Sequence, residues 1–418
     1  MRISSARFSR GVASFFFDDQ RAIKAGAPQD GFIYTGSPVT PGFSAVRQPG
    51  ECISVQLELE DGSIAVGDCS AVQYSGAGGR DPLFLSQPFV EQMDTHLRQW
   101  LEGRDAGSFV NNSRALDGLL IEGKALHTAI RYGVSQALLD AAALATRSLK
   151  AEVLCREYNL PLVAEPVPLF GQCGDDRYTT VDRMILKRVD VLPHGLINSI
   201  PLKLGHRGEL LLEYVHWLVK RIGQLCPAGD YRPALHIDAY GTIGLLFGDD
   251  VQRIVAYLEQ LASAAGRHAI YLEGPVDAGS KSAQITLLGE LRERLRTKGC
   301  PVRLVADEWC NTYADVVDFS DAKCCDMVQI KTPDLGAVHN VVEAIRYANE
   351  QGVEAYQGGS CNETDISARL CVHLALAARP SRLLVKPGMG FDEGMTIVFN
   401  EMQRTLATLR ARGTEGRG

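Results

Sequence analysis

From residue 167 onward, the chain repeats a short apolar stretch rich in β-branched residues, followed by a longer stretch with apolar residues at helical spacing. This alternation is typical of parallel strands joined by helices. Eight stretches qualify as strands, the number that closes a barrel. Their sequences are PLFGQ, SIPLKL, ALHIDA, AIYLEG, RLVADE, MVQIK, EAYQGG and RLLVKPG. The pattern predicts an α/β fold, a (β/α)8 TIM-type barrel over residues 161–418.

The first 160 residues do not alternate strand with helix. Residues 54–60 and 63–68 have the apolar pattern of strands, and they flank Asp61 and Gly62, a dipeptide typical of hairpin turns. Helical spacing follows over residues 84–101 and 125–145. The pattern therefore predicts a separate N-terminal α+β domain over residues 1–160.

Four of the predicted barrel strands end in a charged residue: Asp238, Glu273, Asp307 and Lys331. The carboxyl ends of barrel strands meet at one mouth, where barrel enzymes keep their chemistry. Three oxygen ligands without Cys or His suit Mg²⁺ better than Zn²⁺. Any one of these acids could instead cap a helix. All three in consecutive units, followed by a lysine, favour a metal site with Lys331 as a base.

Other candidate residues lie on or near these strands. Gln329 shares a strand face with Lys331 and suits a substrate contact. His194, in LPHGL, is on spacing alone more typical of a surface or structural loop histidine. His236 could support Asp238 from the same strand face. Lys203 ends SIPLKL and could be a second catalytic lysine or the partner of a carboxylate.

Two glycine-rich segments also suggest a site. YSGAGGRDP, residues 74–82, lacks the ending of a phosphate-binding loop and favours a mobile loop over the barrel mouth, with Gln73 at its edge as a substrate contact. GGSCNETD offers the Ser360 hydroxyl and the backbone N–H groups near Cys361, which suit a carboxylate. The same segment could simply begin a helix.

Composition narrows the class of protein further. The chain has 418 residues and a formal net charge of -7, without the basic runs of a nucleic-acid binder. No apolar run approaches a membrane span, and the run near residues 15–17 is too short for a signal peptide. The 11 cysteines are scattered, odd in number and set in apolar stretches. We therefore expect a soluble cytoplasmic protein that acts on a small molecule, with neither nucleic acid nor membrane as partner.

These segments resemble the enolase superfamily, whose members remove a proton next to a carboxylate over Mg²⁺, and within it the methylaspartate ammonia-lyase family. The closer resemblance rests on the segments VQIKTPD, LFGQCGDD and GGSCNETD. It implies an enolase-superfamily-like barrel with the N-terminal domain as a cap. It also implies Mg²⁺, a monovalent cation such as K⁺ as activator, and a homodimer. Position 360 is Ser here, where the family pattern has Thr.

The resemblance assigns a role to each candidate residue. It implies that Lys331 accepts the proton and that His194 stabilises the transition state from the opposite side. Asp238, Glu273 and Asp307 would bind Mg²⁺. The substrate would be held by Gln172, Gln329, Ser360 and Cys361, with Gln73 near the amine.

The implied reaction is the loss of ammonia from L-threo-3-methylaspartate, an amino-dicarboxylate, to give mesaconate, a step of glutamate fermentation. Two alternatives remain open from the sequence. One is another enolase-superfamily reaction, such as that of an acid-sugar dehydratase or a cycloisomerase, with the same metal site. The other is a non-catalytic barrel that binds a metabolite, which the costly placement of Lys331 beside a cation argues against.

Overall fold

The computed structural model describes residues 1–76 and 80–415, except for the side chains of residues 24, 387 and 413–415. The predicted mobile loop over residues 74–82 therefore lies partly outside the described residues. The N-terminal region contains a three-stranded antiparallel sheet in the order β1-β4-β5. Two further pairs, β2-β3 and β6-β7, form two-stranded sheets. The strands of this region are β1 Ile3–Asp18, β2 Gln29–Asp30, β3 Ile33–Tyr34, β4 Arg47–Leu59, β5 Ile64–Ser70, β6 Leu120–Ile121 and β7 Lys124–Ala125.

The predicted hairpin is present, because β4 and β5 pair antiparallel around Asp61 and Gly62. The 16-residue strand β1 extends the sheet on the other side of β4 and carries no clear alternation of apolar and polar residues. The helices of this region are α1 Gln20–Lys24, α2 Ser86–Gln92, α3 Arg98–Leu101, α4 Phe109–Asp117, α5 Thr128–Thr146 and α6 Lys150–Glu157, with a π-helical segment at Met93–Leu97.

Eight described strands form a closed barrel in chain order, and each pairs parallel with its neighbours. The predicted fold class is confirmed. The strands are β8 Leu169–Phe170, β9 Val191–Leu196, β10 Ala234–Asp238, β11 Ile270–Glu273, β12 Arg303–Ala306, β13 Met327–Ile330, β14 Glu354–Gln357 and β15 Arg382–Leu384.

Helices surround this barrel and bury their apolar faces against it, as the helical spacing predicts. The helices are α7 Thr179–Leu186, α8 Glu209–Leu225, α9 Thr242–Phe247, α10 Val251–Ala265, α11 Lys281–Thr297, α12 Tyr313–Ala322, α13 Val338–Glu350, α14 Asp365–Ala378 and α15 Phe391–Glu415. A short 3₁₀ helix lies at Pro387–Met389. None of the described helices is long and apolar enough to span a membrane.

One predicted strand is wrong. SIPLKL forms a π-helical segment at Ile200–Leu204, and the second barrel strand is the preceding Val191–Leu196, which contains His194. Pro193 and Gly195 made this strand resemble a loop, whereas the apolar SIPLKL resembled a strand. His194 therefore lies on a barrel strand and not in the loop that its sequence predicts.

The N-terminal sheet packs closely on helix α5 through two glycines. A Cβ atom on Gly133 of α5 would lie 2.3 Å from the backbone nitrogen of Cys69, and a Cβ atom on Gly67 of β5 would lie 2.3 Å from the carbonyl oxygen of Gly133. Real Cβ atoms do not approach backbone atoms so closely. The sheet and the helix can therefore touch only where both residues lack a side chain.

We expect Gly133→Ala to lower the free energy of unfolding by about 1–3 kcal/mol, because the added methyl group overpacks this contact. Gly223→Ala is the matched control, since Gly223 also lies within a helix but a Cβ atom there would meet nothing within 4 Å. That control should gain up to about 1 kcal/mol from the higher helix propensity of alanine. Denaturant unfolding of both variants measures the difference, and equal effects would contradict the close packing.

Candidate active site

The four charged residues predicted at strand ends lie at the carboxyl ends of four consecutive barrel strands. Asp238 and Glu273 are the last residues of β10 and β11, and Asp307 and Lys331 directly follow β12 and β13. Pairing places Asp238 beside Glu273 in adjacent strands. The parallel barrel thus brings residues that are far apart in sequence to a single mouth.

A cavity at this mouth encloses about 630 Å³ not filled by protein atoms, counting open space at its entrance. Nine of the ten predicted site residues line it: Gln73, Gln172, His194, Asp238, Asp307, Gln329, Lys331, Ser360 and Cys361. Gln73 comes from the N-terminal region, which therefore forms part of the wall. The tenth residue, Glu273, is fully buried against the others.

The Glu273 carboxylate is held from several sides. The Tyr356 hydroxyl lies 2.8 Å from both carboxylate oxygens, and His236 Nε2 lies 2.8 Å from Oε2. Gln329 Nε2 donates in turn to the Tyr356 hydroxyl at 2.5 Å. Burial alone would raise the pKa of Glu273, but His194 and His236 bring it below its ordinary value. Glu273 is therefore an oriented carboxylate that stays ionised.

Negative charge is crowded around Glu273. Burial, together with the charges of Glu273 and Asp307, raises the pKa of Asp238 well above its ordinary value. Burial is also the main cause that raises the pKa of Asp307 to about 6, although Lys331 opposes the shift. A bound cation would offset the repulsion among these carboxylates and favour their ionised forms. Hard oxygen donors fit Mg²⁺.

One ligand atom from each of His194, Asp238 and Glu273 fits within 4.8 Å of the other two. The ring of His194 argues for a donor rather than a metal ligand. Gln172 Nε2, which can only donate, lies 3.2 Å from His194 Nδ1, so a neutral ring carries its hydrogen on Nε2. That Nε2 atom is buried without a hydrogen-bond partner among the described residues and lies 3.3 Å from Glu273 Oε2.

Lys331 and Asp307 form an ion pair at the edge of the cavity. Lys331 Nζ lies 2.7 Å from Asp307 Oδ1, so in this structure Asp307 faces the lysine. Burial acts to lower the pKa of Lys331, but Asp307 and other nearby acids outweigh it, and the pKa is raised. A lysine with a raised pKa holds its proton at neutral pH, so Lys331 can act as a base only after it has lost that proton.

Several residues in the cavity wall were not predicted from the sequence. Arg80 reaches from the N-terminal region and donates to Asp334 at 2.9 Å and to Asn311 at 3.1 Å. Tyr240 lies two residues after Asp238 and also lines the cavity. The position of Tyr240 in the loop after a charged strand end was the one available signal. Arg80 belongs to the segment 74–82 that was predicted to cover the barrel mouth, but its partners lie more than 200 residues away in sequence and had no such signal.

The remaining candidate residues differ in whether they line the cavity. Ser360 and Cys361 lie in the loop after β14, and burial raises the pKa of the Cys361 thiol to about 12, so this thiol stays neutral. Lys203, the alternative catalytic lysine, is paired with Asp175 and does not line the cavity. Its role as the partner of a carboxylate is the one that the structure supports.

Carboxylates and a lysine lie at the carboxyl ends of the strands of this (β/α)8 barrel. Enzymes with this fold have their active sites at that end of the barrel. Muconate lactonizing enzyme from Pseudomonas fluorescens shares the fold, with a TM-score of 0.63 at 14% identity over 93% of this chain and 89% of that chain. The family model for the methylaspartate ammonia-lyase N-terminus matches residues 1–159, and the model for its C-terminus matches residues 161–411. The chain belongs to the methylaspartate ammonia-lyase family.

Individual relatives are similar along nearly the whole chain. The methylaspartate ammonia-lyase of Citrobacter amalonaticus is 61% identical over 99% of this chain and 100% of its own length. Its crystal structure, containing (2S,3S)-3-methylaspartic acid, has a TM-score of 0.97 and covers 98% of this chain and 100% of that chain. The Mg complex of β-methylaspartase from Clostridium tetanomorphum is 50% identical, with a TM-score of 0.95, over 99% of this chain and 100% of that chain.

Proposed function

We propose that this chain is a methylaspartate ammonia-lyase that removes the C3 proton and the amino group of L-threo-3-methylaspartate to give mesaconate and ammonia. The observation that carries the proposal is the cavity itself, in which a half-buried lysine and a buried histidine flank crowded carboxylates. The relative from Citrobacter amalonaticus, whose structure contains (2S,3S)-3-methylaspartic acid, supports this choice of substrate. Residues 1–160 act as the cap and residues 161–418 as the catalytic barrel.

Asp238, Glu273 and Asp307 hold Mg²⁺ in this proposal. Support comes from their crowding and from the Mg complex of the Clostridium tetanomorphum relative. When bound, the ion supplies positive charge that stabilises negative charge developing on the substrate carboxylate. His236 and Tyr356 orient Glu273 from below, through contacts of 2.8 Å each.

Lys331 is the base in this mechanism and accepts the C3 proton on Nζ. The base must be neutral before the reaction and becomes an ammonium group after it. Asp307, 2.7 Å from Nζ, stabilises that ammonium group.

The remaining residues bind and orient the substrate. The protonated Nε2 of His194 and the amide of Gln329 donate to the carboxylate next to C3, where charge develops. Gln172, Ser360 and the backbone near Cys361 hold the second carboxylate, and Gln73 lies near the amine. Fixing both ends aligns the C–H and C–N bonds that break, which removes an entropic part of the barrier.

We expect His194→Ala to lower turnover by about 10²- to 10³-fold, because it removes one donor aimed at developing charge. Slow elimination should keep its stereospecificity, since Lys331 is still present. His268→Ala is the matched control: His268 is also buried, but it contacts the Pro233 carbonyl at the opposite end of the barrel. Product formation from each C3 epimer measures both variants, and loss of stereospecificity in His194→Ala would contradict the role.

The substrate class can be tested by thermal unfolding of the Mg²⁺-loaded protein with candidate ligands. A ligand that binds only the folded protein raises Tm. Mesaconate, with two carboxylates, should raise Tm more than crotonate, which has one. A larger shift with an acid sugar would favour a dehydratase, and stabilisation by mesaconate without any turnover of methylaspartate would favour the non-catalytic alternative.

We also propose a cytoplasmic location, which the 11 free cysteines support, since all lie in described residues and none forms a disulfide. The homodimer and activation by K⁺ remain predictions from the family resemblance.

A further inference from the structure

A buried glutamate behind the cavity wall has no part in the proposed mechanism. Its carboxylate contacts three separate parts of the fold. Glu363 lies in the loop after β14 and is fully buried. Its Oε1 accepts hydrogen bonds from Thr332 Oγ1 at 2.5 Å and from Lys386 Nζ at 3.2 Å. Its Oε2 accepts from the Tyr132 hydroxyl at 3.0 Å. All three donor residues are fully buried as well.

These contacts link three segments that surround the cavity. Thr332 directly follows Lys331 after β13, Lys386 follows β15, and Tyr132 belongs to helix α5 of the N-terminal region. Lys386 Nζ also donates to the carbonyl oxygen of Gly358 at 3.0 Å. Glu363 therefore connects the base, the cap and the loop that carries Ser360 and Cys361.

The backbone of the 358–361 loop passes close to the buried ammonium group of Lys386. A Cβ atom on Gly359 would lie 2.6 Å from Lys386 Nζ, so a side chain at this position would displace the ammonium group from its present place. A buried ion pair rarely adds much stability over apolar packing, because both charges lose their hydration. The buried pair of Glu363 and Lys386, with its additional hydrogen-bond donors, is therefore better explained as holding these segments in a fixed geometry than as raising stability.

We propose that Glu363 is a positioning residue, which fixes the strand end that carries Lys331 relative to the 358–361 loop. The inference rests on the proposed function, because it assigns Glu363 to the alignment of the base with the substrate anchor. Glu363 does not line the cavity, and it acts through Thr332 and the loop backbone.

Thr332→Val tests this role, since valine keeps the shape of threonine and removes only the hydroxyl donor. We expect kcat to fall about 10- to 100-fold, the range that a small misplacement of a reacting group can cause. KM should change little, because the substrate anchors remain. Thr332→Ser restores the hydroxyl and should recover most of kcat.

Tyr132→Phe is a second variant, which removes the hydrogen bond from the N-terminal region to Glu363. Its matched control is Tyr231→Phe, since the buried Tyr231 hydroxyl donates to the Val189 carbonyl at the far end of the barrel. Tyr132→Phe should lower kcat, whereas Tyr231→Phe should not, even if both lower Tm equally. Equal kcat in all of these variants and the parent would overturn the proposal.

Hydrogen exchange separates this inference from the proposed function. In Thr332→Val, backbone amides in residues 331–334 and 358–363 should exchange faster than in the parent, while the rest of the barrel stays unchanged. This result would support the positioning role even if the parent released no ammonia, an outcome that would sink only the lyase assignment. Unchanged exchange in both segments, or faster exchange everywhere, would overturn the role of Glu363.

Discussion

Lys331→Ala should lower the rate of ammonia release from L-threo-3-methylaspartate by about 10²- to 10⁴-fold, the usual contribution of a general base. Lys331 is the lysine of the cavity wall, and Nζ lies 2.7 Å from the carboxylate that would stabilise its protonated form. The alanine variant should still bind substrate and metal, because the anchors and the carboxylates remain. The measurement is single-turnover product formation, with binding followed separately by calorimetry.

Lys203→Ala is the matched control for Lys331. Lys203 is also a mostly buried lysine paired with an aspartate, Asp175, but it lies outside the cavity wall. Its loss should leave turnover close to that of the parent chain. Full activity in Lys331→Ala, or an equal loss in both variants, would show that the base is another residue.

Removal of Mg²⁺ should abolish turnover, and added Mg²⁺ should restore it. Without a cation, burial and neighbouring acids raise the pKa of Asp238 and of Asp307, and nothing offsets charge on the substrate carboxylate. Asp238→Asn and Asp307→Asn should each behave like chelation, with weaker Mg²⁺ binding in calorimetry. Asp250→Asn serves as the control, because Asp250 only caps helix α10.

Two results would contradict the metal site. One is full activity in protein stripped of metal and assayed with chelator present. The other is unchanged Mg²⁺ affinity in both Asp238→Asn and Asp307→Asn, which would place the ion elsewhere.

Much of the architecture follows from local sequence patterns. Buried parallel strands are short apolar runs, so a charged residue at the end of such a run marks the barrel mouth. The pattern predicts Asp238, Glu273 and Lys331 at strand ends, where they lie in the structure. The hairpin of β4 and β5 followed from its turn dipeptide.

The errors arose where local composition and three-dimensional context disagree. Leu192, Pro193 and Gly195 suggest a loop, yet barrel closure makes this segment a strand and turns His194 toward the cavity. SIPLKL is apolar enough for a strand but forms a π-helical turn. Strand β1 was missed because its long run of mixed residues shows no period that a local pattern could detect.

Contacts between distant segments could not be predicted from one sequence. Arg80 meets Asp334 across 254 positions, and Tyr132 meets Glu363 across 231. No local pattern marks such partners, because they are set by how the N-terminal region docks on the barrel. The charged residues at the strand ends were predictable, whereas the residues that hold them in place were not.

The central claim is that this cavity removes a proton and ammonia from an amino-dicarboxylate. The most direct measurement mixes the Mg²⁺-loaded parent chain with L-threo-3-methylaspartate and follows ammonia together with the ultraviolet absorbance of the conjugated diacid. We predict that ammonia and mesaconate appear in equal amounts. Binding of the substrate without release of either product, under conditions where Mg²⁺ is shown to be bound, would contradict the account.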